Sequence, residues 1–221
     1  MLTLYKLYPT IQIDNFLSAL EIENIAELVY NNHYEKTELI DKWGVWKGHL
    51  VTTQYWVAED TLHDVFAPVY AKLQNILEED FVIEKGQILH SHLAYDVHTD
   101  YYIKVDHEAE ELVGEPYYTL VIPFEDTNSS TVVFEQSADY NDFYIYKEKN
   151  TPIENCMSQE EWDKHCSHCW AEDRNYLTLD TVANWKQGKL IAFDRKRYHC
   201  SDNFTPHVDV KKAFVLWVRH A

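Results

Sequence analysis

Along the first third of the chain the spacing of apolar residues changes from two to about 3.6. Ile11-Gln-Ile13 reads as a short strand. Ser18 followed by Glu21 is the pattern in which a hydroxyl caps a helix and a carboxylate three residues on returns a bond to the cap's backbone. Leu20, Ile22, Ile25, Ala26 and Val29 then carry an apolar stripe at helical spacing, predicting a helix over 19–31. The stretch from Trp43 to Val57, rich in aromatic and β-branched residues and broken by Gly44 and Gly48, predicts a strand pair. From Asp60 to Glu79, Leu62, Val65, Phe66, Val69, Leu73, Ile76 and Leu77 return to helical spacing, with a kink or break at Pro68. Beyond it the period is two, and strands are predicted over 81–84, 87–97, 117–124, 131–135, 189–194 and 211–219.

Helices first and strands afterwards predict an α+β fold, with helices packed on one face of a largely antiparallel sheet or sandwich. Residues 1–221 read as a single domain, in which 1–80 form a helical support and 81–221 a strand-rich core. Residues 136–187 interrupt the rhythm with acidic, amide and aromatic side chains mixed among Cys and His. An insertion of that length inside a compact domain is expected to carry structure of its own or to act as a lid, with Tyr140, Phe143, Tyr144, Tyr146 and Trp170 available to it.

Composition narrows the class. With 46% hydrophobic residues among 221, the chain can bury a proper core. No run approaches the roughly 18 apolar residues that span a bilayer. The first ten residues have neither a basic start nor a long apolar segment, so a cytoplasmic protein is expected. Thirty-seven acidic against nineteen basic side chains give a formal charge of −18. That charge repels a phosphate backbone and argues against nucleic acid; it suits a cationic or zwitterionic small molecule, and equally plain solubility.

The four cysteines, Cys156, Cys166, Cys169 and Cys200, lie in the C-terminal third and are read as reduced thiols. His165-Cys166-Ser167-His168-Cys169 contains a C-x-x-C, but a structural zinc site needs further ligands and only Cys156 is near in sequence. Ordinary thiols on a loop or helix are the favoured reading.

The most specific chemistry begins at His98-Thr-Asp100. On a strand, residues two apart face the same side, so His98 and Asp100 can bind one metal. Two imidazoles and one carboxylate on one face of an octahedral Fe(II) leave the other face open for oxygen chemistry. His199, after the strand Lys189–Asp194 and the turn Arg195-Lys-Arg-Tyr198, is placed to be the third donor. Alone, H-x-D is weak in a chain with twelve histidines. The ordered set is stronger: Asp14-Asn-Phe-Leu-Ser18 entering a helix, H-x-D, Tyr117–Phe124, Thr131-Val-Val-Phe134, Leu-Ile-Ala-Phe193 before His199, and Lys211–Trp217.

This set resembles the 2-oxoglutarate- and Fe(II)-dependent oxygenases, particularly the compact prolyl-hydroxylase-like group, over residues 11–219 apart from the insertion. The resemblance implies a double-stranded β-helix, or jelly roll, with supporting helices on one side. It implies iron held by His98, Asp100 and His199, and a basic residue of the last strand pairing with the far carboxylate of 2-oxoglutarate. That residue is Lys211 or Lys212. Lys211 is favoured, because its orientation brings the small Ala213 inward, whereas Lys212 would bring Phe214. Lysine lacks arginine's bidentate fork, so a hydroxyl is expected beside it, from Tyr118 foremost, Thr119 or Thr131. The implied reaction couples decarboxylation of 2-oxoglutarate by O2, giving succinate and CO2, to hydroxylation of an unactivated C–H bond of a small molecule, amino acid or peptide side chain.

The chain departs from the family in having Ser129-Ser-Thr-Val-Val-Phe134 where a Gly-Gly-x-Thr-x-Phe-like turn is common, and Lys where many members have Arg on the last strand. Arg195 and Arg197, beside His199, are candidates to receive an anionic group of the substrate; a solvated turn is the plainer alternative. A jelly-roll domain that binds metal or ligand without turnover is the rival function.

Overall fold

The computed structural model describes residues 7–42, 46–77, 79–100, 116–138 and 151–221. The insertion's Tyr140, Phe143, Tyr144 and Tyr146 lie outside them, as does the start of the predicted strand pair at Trp43.

After the short strand β1 (Ile11–Ile13), α1 (Ala19–Asn32) begins where the capping pattern predicts: the Glu21 amide donates to Ser18 Oγ and the Ser18 amide to the Glu21 carboxylate at 2.7 Å. Glu21 also meets Lys72 Nζ at 2.8 Å, and Lys72 together with Ser18 holds its carboxyl down at about 2. The predicted helix over 60–79 is two pieces, α2 (Leu62–Val65) and α3 (Ala67–Leu73), broken at Phe66. Pro68 sits in the first turn of α3, where its missing N–H is not needed.

The remaining elements are strands and one short helix. They are β2 (His33–Ile40), β3 (Leu50–Val57), β4 (Phe81–Ser91), β5 (Pro116–Pro123), β6 (Ser130–Ser137), α4 (Gln159–His165), β7 (Leu179–Asn184), β8 (Leu190–Asp194), β9 (Arg197–Ser201) and β10 (Lys211–His220). A 3-10 turn, Ala171–Tyr176, follows α4. Two sheets result, both antiparallel at every pairing: a seven-stranded one in the order β1-β8-β5-β10-β4-β3-β2 and a three-stranded one in the order β7-β6-β9.

Alternation along the strands assigns the two faces of the large sheet. Leu120 and Ile122 of β5, with Phe214, Leu216 and Val218 of β10, bury against Ile22, Ile25, Val29, Phe66 and Val69 of the helices. Val121, Ile191, Phe193 and Ala213 face the other way and meet Val133, Ala183 and Trp185, so the small sheet covers that face. Helices thus lie on one side and a second sheet on the other.

Several elements differ from the reading of the sequence. The strand β2 is polar and largely exposed, because it is the edge of the large sheet, and such a strand carries no apolar period. β7 lies within the insertion, and of the stretch 195–198 read as a turn only Arg195 and Lys196 turn, with β9 starting at Arg197. The two strands predicted over 81–84 and 87–97 are one strand that ends at Ser91. Their apparent interruption, Gly86, is where the helices press closest: a Cβ there would lie 2.6 Å from Phe66 Cε2, 2.8 Å from Leu216 Cδ2 and 2.9 Å from Leu62 Cδ2. Among the described residues no helix is long and apolar enough to cross a membrane.

Gly86→Ala is therefore expected to overpack the joint between helices and sheet and to lower the unfolding free energy by about 1–3 kcal/mol, read as a lower urea midpoint at unchanged slope.

Candidate metal centre and its cavity

After Ser91 the chain leaves the large sheet and crosses to the small one. There the His98 amide donates to the His199 carbonyl at 3.0 Å and the His199 amide to the His98 carbonyl at 2.9 Å, an isolated antiparallel bridge. Two residues on, the Asp100 amide donates to the Arg195 carbonyl at 3.1 Å, and Arg195 Nε returns a bond to the Asp100 carbonyl at 3.3 Å. This backbone pairing brings three side chains together: the ligand atoms of His98, Asp100 and His199 all lie within 4.8 Å of one another.

Their surroundings fix their chemical state. His98 Nδ1 is 2.7 Å from the Asp96 carbonyl, and His199 Nδ1 is 3.2 Å from the Arg197 carbonyl. A carbonyl only accepts, so each ring is assigned its proton on Nδ1, and each Nε2 is left with a lone pair. Burial and then the neighbouring His199 push His98 down to about 3, and burial lowers His199. Burial alone would raise the Asp100 carboxyl; His199, His98, the Thr119 hydroxyl donating at 2.7 Å and Arg195 together outweigh it and hold the group below its usual range. Near neutral pH the set is two neutral imidazoles and one carboxylate, three acceptors with no proton to displace. Such an N2O set converging from one side suits a divalent transition metal that retains open positions.

The same residues border a cavity of about 330 Å³ between the two sheets, lined also by Thr119, Val121, Thr131, Trp185, Phe193 and Val215, and toward β2 and β3 by Leu39, Gln54 and Trp56. Trp56 stacks on Trp217 with ring centroids 5.5 Å apart, forming an aromatic wall. Lys211 enters this cavity. It is 2% exposed, its Nζ donates to Ser129 Oγ at 3.1 Å, and it lies 4.0 Å from the Trp185 ring centroid and 4.5 Å from that of Phe204. Among the described residues no carboxylate is within ion-pair distance, and burial lowers its amine from the ordinary 10.5 to about 7. Lys212, the other candidate, points to the opposite face, partly exposed and beside His90.

The expected hydroxyl partner is a different residue. Tyr118 faces the helical side, its ring against Tyr8 and Tyr117 and its hydroxyl donating to the Pro9 carbonyl at 3.3 Å; its phenol does not line the cavity. The next residue, Thr119, faces in, as strand alternation requires, and serves Asp100. Thr131 lines the cavity, with its Oγ1 accepting from Trp185 Nε1 at 2.9 Å. Ser129 Oγ accepts from Lys211 and donates in turn to Asp202 Oδ1 at 2.8 Å. It precedes β6, so no strand parity pointed to it.

Arg195 and Arg197, the candidates for an anionic group of the substrate, are engaged by carboxylates outside the cavity. Arg195 is 4% exposed, bound to Glu84 at 2.8 Å and to the Asp100 backbone. Arg197 pairs with Asp180 at 3.3 Å and with the Phe134 carbonyl. Neither lines the cavity; both fasten the turn that carries His199.

No protein-family model matches the chain, and no curated sequence matches it. Solved structures do. Over 96% of this chain and 79% of its own, the epimerase SnoN in complex with Fe3+, alpha ketoglutarate and nogalamycin RO superposes with a TM-score of 0.60 at 9% identity. The carbocyclase SnoK from nogalamycin biosynthesis gives 0.59 at 15% identity, covering 96% of this chain and 80% of that one. HygX from Streptomyces hygroscopicus, with nickel, 2-oxoglutarate and hygromycin B bound, gives 0.52 at 12%, covering 96% and 83%. The chain has the fold of these 2-oxoglutarate-dependent enzymes. At such identities the likeness speaks for the fold, and the chemistry rests on the residues above.

Lys211 carries a penalty that can be measured without any ligand. Between about 7 and its ordinary value the unfolded chain holds a proton that the folded chain lacks, so stability climbs as pH rises through that window and the full penalty applies below it. Lys211→Met should therefore be more stable than the wild type by about 1–4 kcal/mol at pH 6, with the gain shrinking toward pH 10, in denaturant titrations of the metal-free protein.

Proposed function

We propose that this protein is a 2-oxoglutarate- and Fe(II)-dependent dioxygenase built on a double-stranded β-helix, acting on a small molecule. The observation that carries the reading is the sharing of one cavity by the His98–Asp100–His199 donor set and the buried amine of Lys211. An N2O site alone suits many metals; a buried amine beside it, without an ion-pair partner among the described residues, asks for an anionic co-substrate. Iron with 2-oxoglutarate and O2 would supply oxidation of a substrate C–H bond while 2-oxoglutarate becomes succinate and CO2.

The chain's own residues have distinct tasks in this reading. His98, Asp100 and His199 are the metal ligands, and Thr119 orients Asp100 by donating to the oxygen that faces His199. Lys211 binds the far carboxylate of 2-oxoglutarate, with Ser129 beside it and Thr131 on the cavity wall. The rings of Trp185 and Phe204 exclude water from the amine, so its charge acts at low dielectric. Asp100 fills the carboxylate position, which favours hydroxylation as the outcome. Leu39, Gln54, Trp56 and Trp217 make an apolar, aromatic approach with amide groups, fitted to a small organic substrate; the ligands named in the SnoN and HygX structures are of that kind.

Two measurements test the reading. With Fe(II) and 2-oxoglutarate under anaerobic conditions, the wild type should show the visible charge-transfer band of the chelate, and under O2 it should release succinate; His199→Ala should lose both. A wild type that shows neither would leave a metal- or ligand-binding domain as the correct description. The second measurement uses the Lys211 amine. It must be charged to hold a carboxylate, so above about pH 7 binding has to take up a proton, and the Kd for 2-oxoglutarate should rise by up to about ten-fold per pH unit. Lys211→Met should weaken 2-oxoglutarate by about a hundred-fold or more and flatten that pH dependence, in titrations with Mn(II) in place of iron.

A further inference from the structure

Three of the four cysteines converge on the face of β9 opposite the His98–Asp100–His199 set. Cys166 and Cys169 come from the turn that ends α4, where the Cys169 amide donates to the Cys166 carbonyl at 2.8 Å; Cys200 comes from β9. All three are buried, and Cys166 Sγ stands 3.9 Å from Cys200 Sγ. A tetrahedral zinc ion with Zn–S bonds of about 2.3 Å requires sulfurs about 3.8 Å apart. His168, between the two cysteines of the turn, is 6% exposed, with Nε2 at 3.2 Å from Cys169 Sγ. The ligand atoms of His168, Cys169 and Cys200 lie within 4.8 Å of one another, the same span as in the first set.

We propose that Cys166, His168, Cys169 and Cys200 form a second, structural metal site that takes zinc. Small buried thiols also occur simply as apolar filler beside Trp162, Met157 and Leu177. Filler does not account for the imidazole. His168 Nε2 faces the Tyr95 carbonyl, which only accepts, so the ring proton is assigned to Nε2 and Nδ1 keeps the lone pair; that Nδ1 is buried with no hydrogen-bond partner among the described residues, a desolvation cost that an apolar cluster does not repay. Nor does filler require an imidazole and two thiols to converge, with a third thiol, Cys166, 3.9 Å from Cys200. The donor set is soft and closed, three sulfurs and one nitrogen, and so selects zinc where the N2O set with open positions selects iron. Binding converts the thiols to thiolates and releases their protons to solvent, with no change of oxidation state.

The position gives the ion a task. Cys200 follows His199 on β9, and alternation sends the two side chains to opposite faces. The Tyr95 carbonyl contacts His168 Nε2 at 3.2 Å, while the next carbonyl, of Asp96, holds His98 Nδ1. Zinc would staple the α4 segment of the insertion to the back of β9 and to the segment that carries His98.

This inference stands apart from the dioxygenase reading, and its test does not use activity. The wild-type protein, purified and treated with EDTA, should retain about one zinc per chain, released by a mercurial thiol reagent. Cobalt substituted into the wild type should show thiolate-to-cobalt charge transfer in the near ultraviolet and intense tetrahedral d–d bands. Both signals should persist in His98→Ala and Cys156→Ser and vanish in Cys166→Ser and Cys169→Ser. If the serine variants do not fold, the wild-type cobalt spectrum decides alone. Absence of charge transfer in the wild type, loss of the zinc in His98→Ala, or a thiol titration under denaturing conditions revealing a Cys166–Cys200 disulfide would overturn the proposal.

Discussion

Two backbone hydrogen bonds join His98 to His199, and the rest of the site hangs on that joint. Neither residue lies in the large sheet. The chain must leave β4 at Ser91, cross the gap between the sheets and pair with β9 before the two imidazoles can face one point. Arg195 continues the joint to Asp100, and the Asp96 and Arg197 carbonyls fix each ring. Because main-chain bonds do this positioning, the side chains keep their lone pairs for a ligand.

The interior between the sheets carries an electrostatic burden that a purely structural core would not hold. Two imidazoles, a carboxylate and an amine are buried there, and desolvation is the leading influence on all four. The opposite face of the large sheet, packed with helices, has the apolar contacts that offset this: Phe66, Val69, Leu73, Ile88, Phe214 and Leu216 are all fully buried. Stability is concentrated on one side of the sheet and chemistry on the other. Strand alternation makes that division possible within single strands, so that Thr119 serves the site while Leu120 serves the core.

Much of this division was legible beforehand. The helix capped by Ser18, the strands from 117 to 124 and from 211 to 219, and the inward side of Lys211 all follow from period and parity, which are local properties of covalent geometry. The errors share one physical origin. Polar β2 is an edge strand and shows no apolar period; the turn read over 195–198 is confined to Arg195 and Lys196, and β9 begins at Arg197. The gap left between 81–84 and 87–97 falls at Gly86, a place of close packing inside one strand. Tyr118 was placed foremost among the hydroxyls, and the ring that packs against it on the helical side comes from Tyr8, far away in the chain.

The sequence by itself determined the candidate donors, because histidine, aspartate and lysine carry their chemistry wherever they fall, and it determined which side of each regular strand they occupy. Only the tertiary structure decided the partners. Ser129 for Lys211, Glu84 and Asp180 for the two arginines, and Cys200 in place of Cys156 beside the C-x-x-C turn are all long-range pairings. Periodicity reports the face a residue lies on; which distant residue lies opposite depends on how the two sheets and the insertion close over one another, and that is set by the packing of the whole chain.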